Sequence, residues 1–210
     1  MSVRALFGGT FDPIHLGHIN TATALIKELG INELHLMPNA IPPHRAQPTA
    51  SAEQRLAMVK LACEQQPELI PEAIELTAEQ PSYTVKTLRL FSQRYPADTL
   101  LFVMGMDSLI SLDSWYQWRQ LTKLAHLIVL PRPDYNLRQA SKPLQHYIAQ
   151  HQCHTPQTLQ QAKCGYIYVA NTPMIDISAT AIRTKLKHHT STTALPPKVV
   201  EYIQQQQLYR

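Results

Sequence analysis

The 210-residue chain is short of cysteine, glycine, long apolar runs and clustered charge, and each shortage narrows what it can be. Its three cysteines, Cys63, Cys153 and Cys164, form no C-x-x-C pair, which argues against a disulfide framework and for a reducing compartment. No basic N-terminal segment leads into an apolar core, and the longest apolar runs, at 100–104 and 127–130, are the length of strands rather than membrane spans. A soluble, cytoplasmic protein without a membrane partner is expected. Charge is thin as well: 19 Lys+Arg against 15 Asp+Glu leaves +4, with no long basic run, too little to argue for nucleic acid. At this length a single α/β domain with its own core is the natural expectation.

Glycine is scarce, and its placement is therefore informative. Three of the six, Gly8, Gly9 and Gly17, fall within Gly8-Gly9-Thr10-Phe11-Asp12-Pro13-Ile14-His15-Leu16-Gly17-His18. A short apolar strand (Val3, Ala5, Leu6, Phe7) runs into the two glycines, turns through Asp12-Pro13 and passes into a helix. Glycines let backbone N–H groups approach a ligand, and a helix start adds unsatisfied N–H groups and a positive dipole end. An anion is the expected guest. His15 and His18, three apart, share one face of a helical first turn, where two imidazoles can donate to phosphoryl oxygens or ligate a metal. The stretch has neither the G-K-[S/T] of a P-loop nor G-x-G-x-x-G.

Further along, Ile19, Ala22, Leu25, Ile26 and Leu29 continue the helix to a C-cap at Gly30, and Leu34–Met37 reads as the next strand. Strand, helix and strand predict a parallel sheet with the ligand crevice beyond the strands' carboxyl ends. The proline-rich segment 38–48 is a loop on that side, carrying Asn39, His44 and Arg45. Ser51 opens a helix with a capping box, whose apolar face is Leu56, Val59, Ala62 and Cys63. A third strand is expected within Ile70–Leu76, and a helix capped by Ser82 with Val85, Leu88 and Phe91 buried. A central strand, 100–104, ends at Gly105-Met106-Asp107-Ser108, where Asp107 suits ribose hydroxyls, a metal's water shell or a helix cap. Of Trp115 and Tyr116, one is expected in the core and the other free to stack on a flat ring. A fifth strand, 125–130, exits through Arg132, pinned between prolines, whose guanidinium can meet a phosphate. The Gln- and His-rich stretch 137–163 reads as solvated helix and loop, since its His and Cys spacing fits no common zinc pattern. After a short strand at 166–169, Ser178 caps a helix bearing Ile182, Arg183 and Leu186, a second phosphate-suited helix start. Pro196-Pro197 opens a last helix, packed through Val199, Val200 and Ile203.

The stretch 8–18 resembles the signature of the nucleotidyltransferase superfamily, with (H/T)-x-G-H after a first strand. Together with ISATAIR at 177–183, PPHR at 42–45, PSYT at 81–84, GMDS at 105–108, the Trp-Tyr pair at 115–116 and the ending YIQQQQLYR, it makes the chain similar over nearly its whole length to the bacterial nicotinate mononucleotide adenylyltransferases. The resemblance implies a Rossmann-like, doubly wound parallel sheet with flanking helices. It also implies one domain over 1–210, whose helical part from about 178 packs on the same core. The implied reaction joins ATP and nicotinate mononucleotide into deamido-NAD and pyrophosphate, a step of NAD biosynthesis, with Mg²⁺ accompanying ATP and no side chain assigned as a metal ligand.

By the same resemblance His15, His18 and Arg183 are catalytic. Gly8, Gly9, Thr10 and Phe11 belong with these to the ATP site, as do Ile177, Ser178 and Thr180. Asn39, His44, Arg45 and Tyr83 would contact the mononucleotide. Backbone N–H groups at Thr84 and Tyr116 would receive its carboxylate, Trp115 would stack on its pyridine ring, Asp107 would hold a ribose and Arg132 a phosphate. His15 together with ISATAIR argues against the rival adenylyl- or cytidylyltransferases acting on phosphopantetheine or glycerol phosphate. The intact H-x-G-H and Arg183 argue against a silent nucleotide-binding module. The chain departs from the family at Arg132-Pro133-Asp134, where Arg-Pro-Gly is common, since aspartate enters turn conformations less freely than glycine. The sequence does not distinguish monomer from homodimer.

Overall fold

The computed structural model describes residues 2–40, 47–77 and 83–210. Apolar side chains alternate along strands that are buried on both faces, a pattern that demands helices on each side. The strands are β1 (Val3–Gly9), β2 (Leu34–Pro38), β3 (Leu69–Pro71), β4 (Thr99–Gly105), β5 (His126–Leu130), β6 (Gln152–Cys153) and β7 (Ile167–Val169). They form one seven-stranded sheet in the order β3-β2-β1-β4-β5-β7-β6. Every pairing is parallel, with Phe7 opposite Leu36 on one side and Val103 on the other. The helices are α1 (Leu16–Leu29), α2 (Ala52–Cys63), α3 (Ile74–Thr77), α4 (Thr84–Arg94), α5 (Met106–Leu109), α6 (Leu121–Leu124), α7 (Lys142–His151), α8 (Ala179–Lys187) and α9 (Pro197–Gln205).

Odd and even strand positions feed separate cores. Ala5, Phe7, Leu34, Leu36, Leu101 and Val103 pack with the buried residues of α1, α2, α8 and α9. Leu6, Leu100, Phe102, Met104, Leu127 and Val129 pack with those of α4, α6 and α7 on the other face. The strand order reverses between β1 and β4, so the segments leaving their carboxyl ends diverge to opposite faces and open a crevice between them. This is the doubly wound arrangement expected of the sequence. No helix among the described residues is long and apolar enough to cross a membrane.

Four expectations need correction. The third strand, expected within Ile70–Leu76, is the short Leu69–Pro71, after which Glu72 accepts the Ile74 N–H at 3.0 Å and α3 starts. The stretch 137–163, expected as solvated helix and loop, contains α7, capped by Ser141 and docked through buried Leu144 and Ile148, and adds the edge strand β6. With only two buried positions and a Gln/His-rich solvent face, its helical period is faint. Helix α4 takes Tyr83 as its N-cap residue, while Ser82 lies outside the described residues, as do His44 and Arg45. In α2 the side chain that joins the buried stripe with Met58, Val59 and Ala62 is Arg55, and Leu56 is only partly buried.

Gly30 ends α1 at φ 62°, ψ 37°, donating to the Ile26 and Lys27 carbonyls. A Cβ there would meet nothing within 4 Å, so only backbone strain opposes substitution. Gly30→Ala is therefore expected to cost about 1 kcal/mol of stability, read as a lowered urea midpoint at unchanged slope.

Candidate active site

The turn after β1 is shaped by close approach. A Cβ on Gly9 would lie 2.8 Å from the Phe11 ring, which folds back over it while Phe11 itself occupies the left-handed region at φ 48°. Asp12 follows, 5 % exposed, and both oxygens of its carboxylate accept hydrogen bonds. Its Oδ2 accepts from the Thr49 N–H at 2.8 Å, and its Oδ1 from the Ala50 N–H at 3.1 Å and the Tyr209 hydroxyl at 2.7 Å. A buried carboxylate needs that many donors to offset its lost hydration.

Helix α1 begins one residue later than the spacing predicts. The Leu16 N–H donates to the Ala194 carbonyl at 2.8 Å, which fixes His15 in extended backbone as the N-cap and leaves only His18 inside the helix. The two rings nevertheless meet, stacked with centroids 3.7 Å apart. Gly17 makes this possible, because a Cβ there would fall 2.9 Å from His15 Nδ1 and 3.2 Å from Ile177 Cβ. His18 Nδ1 accepts the His15 N–H at 3.3 Å, so in the neutral ring Nε2 carries the proton and is the donor. Burial, then the charge of Arg132, lowers His15 to about 4. Burial, then His15 and Arg132, holds His18 well below its ordinary value. Both are neutral donors at physiological pH.

The second wall is the start of α8. Ser178 Oγ accepts the Ala181 N–H at 3.4 Å, and Arg183 donates to the Asp12 carbonyl at 2.7 Å and to Thr180 Oγ1 at 3.2 Å. The third wall joins the start of α4 to the segment after β4. Tyr83 and Tyr116 contact through rings 4.6 Å apart, and Trp115 lies edge-on to Phe102 at 6.5 Å. Neither Trp115 nor Tyr116 is the core ring expected there: Trp115 is half-buried, Tyr116 is 48 % exposed, and the buried indole is Trp118. Arg132 Nε pairs with Asp107 Oδ1 at 3.2 Å. Gly105 leaves room for that pair, since a Cβ would lie 2.3 Å from the carboxylate. Asp134 supplies the glycine-like conformation the turn requires, at φ 66°.

These walls enclose one cavity of about 800 Å³. Gly8, Gly9, Thr10, Phe11, His15 and His18 line it at one end, with Ile177, Ser178, Thr180 and Arg183 beside them. Asn39, Tyr83, Thr84, Asp107, Trp115, Tyr116 and Arg132 line the remainder. Every expected site residue that the structure describes is brought to this single space.

A model of the cytidylyltransferase-like family matches residues 6–185. A relative from Idiomarina loihiensis is 50 % identical over 207 residues, covering 99 % of both chains, and one from Yersinia pestis is 44 % identical over 211 residues, covering 100 % of this chain and 96 % of its own. Each is named a "probable nicotinate-nucleotide adenylyltransferase". The chain belongs to the nicotinate-nucleotide adenylyltransferase family of cytidylyltransferase-like proteins. In fold it is similar to the Plasmodium falciparum nicotinic acid mononucleotide adenylyltransferase solved with NaAD, at TM-score 0.73 and 16 % identity over 100 % of this chain and 98 % of that one.

Around this family's cavity stand buried residues whose roles the sequence did not single out. Arg55, 1 % exposed, donates to the Thr10 carbonyl and the Ala40 carbonyl, both at 2.8 Å, tying together the turns that leave β1 and β2. Burial lowers its guanidinium below the ordinary value, against the opposing charges of Asp12, Tyr209, Glu53 and Glu75. Buried Glu75 accepts from the Ala40 N–H at 3.3 Å and the Thr87 hydroxyl at 2.9 Å, which fixes α4 to the same peptide. A signal for Arg55 was present: it recurs with Val59 and Ala62 at helical spacing, a cation within an apolar stripe. Asp12 and Tyr209 carried no such pattern.

The neutral His15 gives a pH signature. Below 6.5 the unfolded chain binds a proton there that the folded chain, with its value near 4, does not, so stability falls with pH across that window and levels off beneath it. Urea denaturation of wild type is expected to lose about 3 kcal/mol more between pH 7 and 4 than that of His15→Gln, which cannot titrate.

Proposed function

We propose that this chain catalyses in-line attack of the nicotinate mononucleotide 5′-phosphate on the α-phosphorus of ATP. The new P–O bond makes deamido-NAD, and the bond to the β-phosphate breaks to release pyrophosphate. The observation that carries this reading is the cavity of about 800 Å³, whose wall joins two helix starts suited to phosphates to an aromatic end containing Trp115. The attacking phosphate is already anionic, so positioning and charge neutralisation are the main demands on the protein.

In this mechanism His15 and His18 donate to the transferring phosphoryl group, His18 through the Nε2 proton that its Nδ1 contact to the His15 N–H fixes. Their neutrality suits the role, because a donor that need not be protonated works across the physiological range. Backbone at Gly8, Gly9 and Thr10 lines the same end beside Phe11. Ser178, Thr180 and Arg183 hold the leaving pyrophosphate, with Ile177 beside the α8 start. At the other end the first N–H of α4, at Thr84, which has no partner within the helix, joins that of Tyr116 in receiving the nicotinate carboxylate. Trp115 stacks on the pyridine ring, Tyr83 packs against Tyr116, and Asp107 and Arg132 divide a ribose and a phosphate between them. Asn39, on the cavity wall, contacts the mononucleotide.

Among the described residues no group of three or more His, Cys, Asp or Glu side chains is arranged to hold a metal. In this proposal Mg²⁺ would enter with the co-substrate ATP, which is how that ion commonly reaches nucleotide sites. A cytoplasmic setting, with its supply of ATP, completes the reading.

A pyrophosphate-release assay with ATP and Mg²⁺ tests it. Nicotinate mononucleotide is expected to turn over at least about tenfold faster than nicotinamide mononucleotide, whose amide NH₂ would face backbone donors and leave them unpaired. Equal rates would sink the carboxylate assignment, and no release with either would sink the reaction. His18→Ala is expected to lower kcat/KM by about 100-fold or more, roughly 2.7 kcal/mol, whereas a change below about threefold would remove His18 from the mechanism.

A further inference from the structure

We infer that Tyr209 is a positioning residue that acts through Asp12 to keep the Arg183 guanidinium facing the phosphate end of the cavity. The inference rests on the proposed role of Arg183. Tyr209 is 6 % exposed and is not on the cavity wall, whereas Asp12 and Arg183 both line it. Its hydroxyl donates to Asp12 Oδ1 at 2.7 Å, and together with the Thr49 and Ala50 N–H groups it gives the carboxylate three neutral donors. With part of its charge met by these donors, the carboxylate holds Arg183 only in a long ion pair. Arg183 reaches the Asp12 main-chain carbonyl at 2.7 Å, but its distance to Asp12 Oδ2 is 3.9 Å, beyond hydrogen-bonding range. The guanidinium is oriented by a neutral carbonyl, and its charge, 30 % exposed, remains available to an incoming polyphosphate.

The phenol is suited to this task. Burial, then the hydrogen bond to Asp12 and its charge, raises its ionisation far above the ordinary value, so it is always a donor in the working range. Without the hydroxyl, Asp12 Oδ1 would keep one backbone donor, and its less dispersed charge would draw Arg183 into the pair that is now 3.9 Å long. The cation would turn from substrate to protein.

The test is a cycle of four proteins: wild type, Tyr209→Phe, Arg183→Ala and the double variant, each checked for folding by circular dichroism. Tyr209→Phe keeps the ring and removes only the hydroxyl. It is expected to lower kcat/KM for ATP by about tenfold while leaving the affinity for nicotinate mononucleotide within about twofold. Arg183→Ala is expected to lose more, and adding Tyr209→Phe to it should change kcat/KM by less than about twofold, because the group Tyr209 acts through is already gone. An undiminished tenfold loss in the Arg183→Ala background would overturn the inference, as would a Tyr209→Phe protein within twofold of wild type. An Arg183→Ala protein with wild-type kcat/KM would overturn both the role of Arg183 and the inference. Titration of the same four proteins with a non-hydrolysable ATP analogue reads the coupling without turnover. A chain that releases no pyrophosphate would then refute the reaction without deciding the fate of Tyr209, which the same non-additivity in analogue affinity would decide.

Discussion

The carboxylate of Asp12 is the constraint on which the rest of the site depends. It is buried at the turn between the first strand and the first helix, and its donors come from residues 49–50 and 209, while Arg183 bonds its carbonyl. A charge removed from water is tolerable only where its acceptor capacity is filled, so the position of Asp12 and the approach of three distant segments determine one another. The geometry of the signature turn thus follows from the completed fold as much as from its glycines.

A second polar frame stands beside it. The peptide of Ala40 is gripped from both ends, its carbonyl by Arg55 and its N–H by Glu75, and Arg55 also holds the carbonyl of Thr10. Two strand-end turns and the start of α4 are therefore tied together by Arg55 and Glu75. Donors set in this way need not reorganise when charge develops on a reacting phosphate, which is the condition under which electrostatic stabilisation is most effective. The histidine pair fits the same logic, since burial beside Arg132 keeps both rings neutral and the His15 N–H selects the tautomer of His18.

Much of this was legible along the chain because the signals are local. A strand running into paired glycines, a serine three residues before its bonded N–H in α2 and α8, and a glycine after the last buried residue of α1 each report a backbone requirement met within a few positions. The misreadings share the opposite property. Trp118 rather than its neighbours fills the core because of what packs around it, and α7, expected only as solvated surface, docks Leu144 and Ile148 into the second core beneath a polar face. His15 was read into the helix, but the Ala194 carbonyl takes the Leu16 N–H and leaves His15 outside as the N-cap.

By itself the sequence determined the order of the central strands and the longer helices, the two phosphate-suited helix starts and the residue types gathered around them, because those depend on side-chain period, capping and backbone freedom. Only the tertiary structure decided how the groups are held: Arg55 to Thr10 across 45 positions, Tyr209 to Asp12 across 197. The physical reason is that a buried charge is stabilised by whichever donors or acceptors the completed fold brings to it, and separation along the chain carries no trace of that choice.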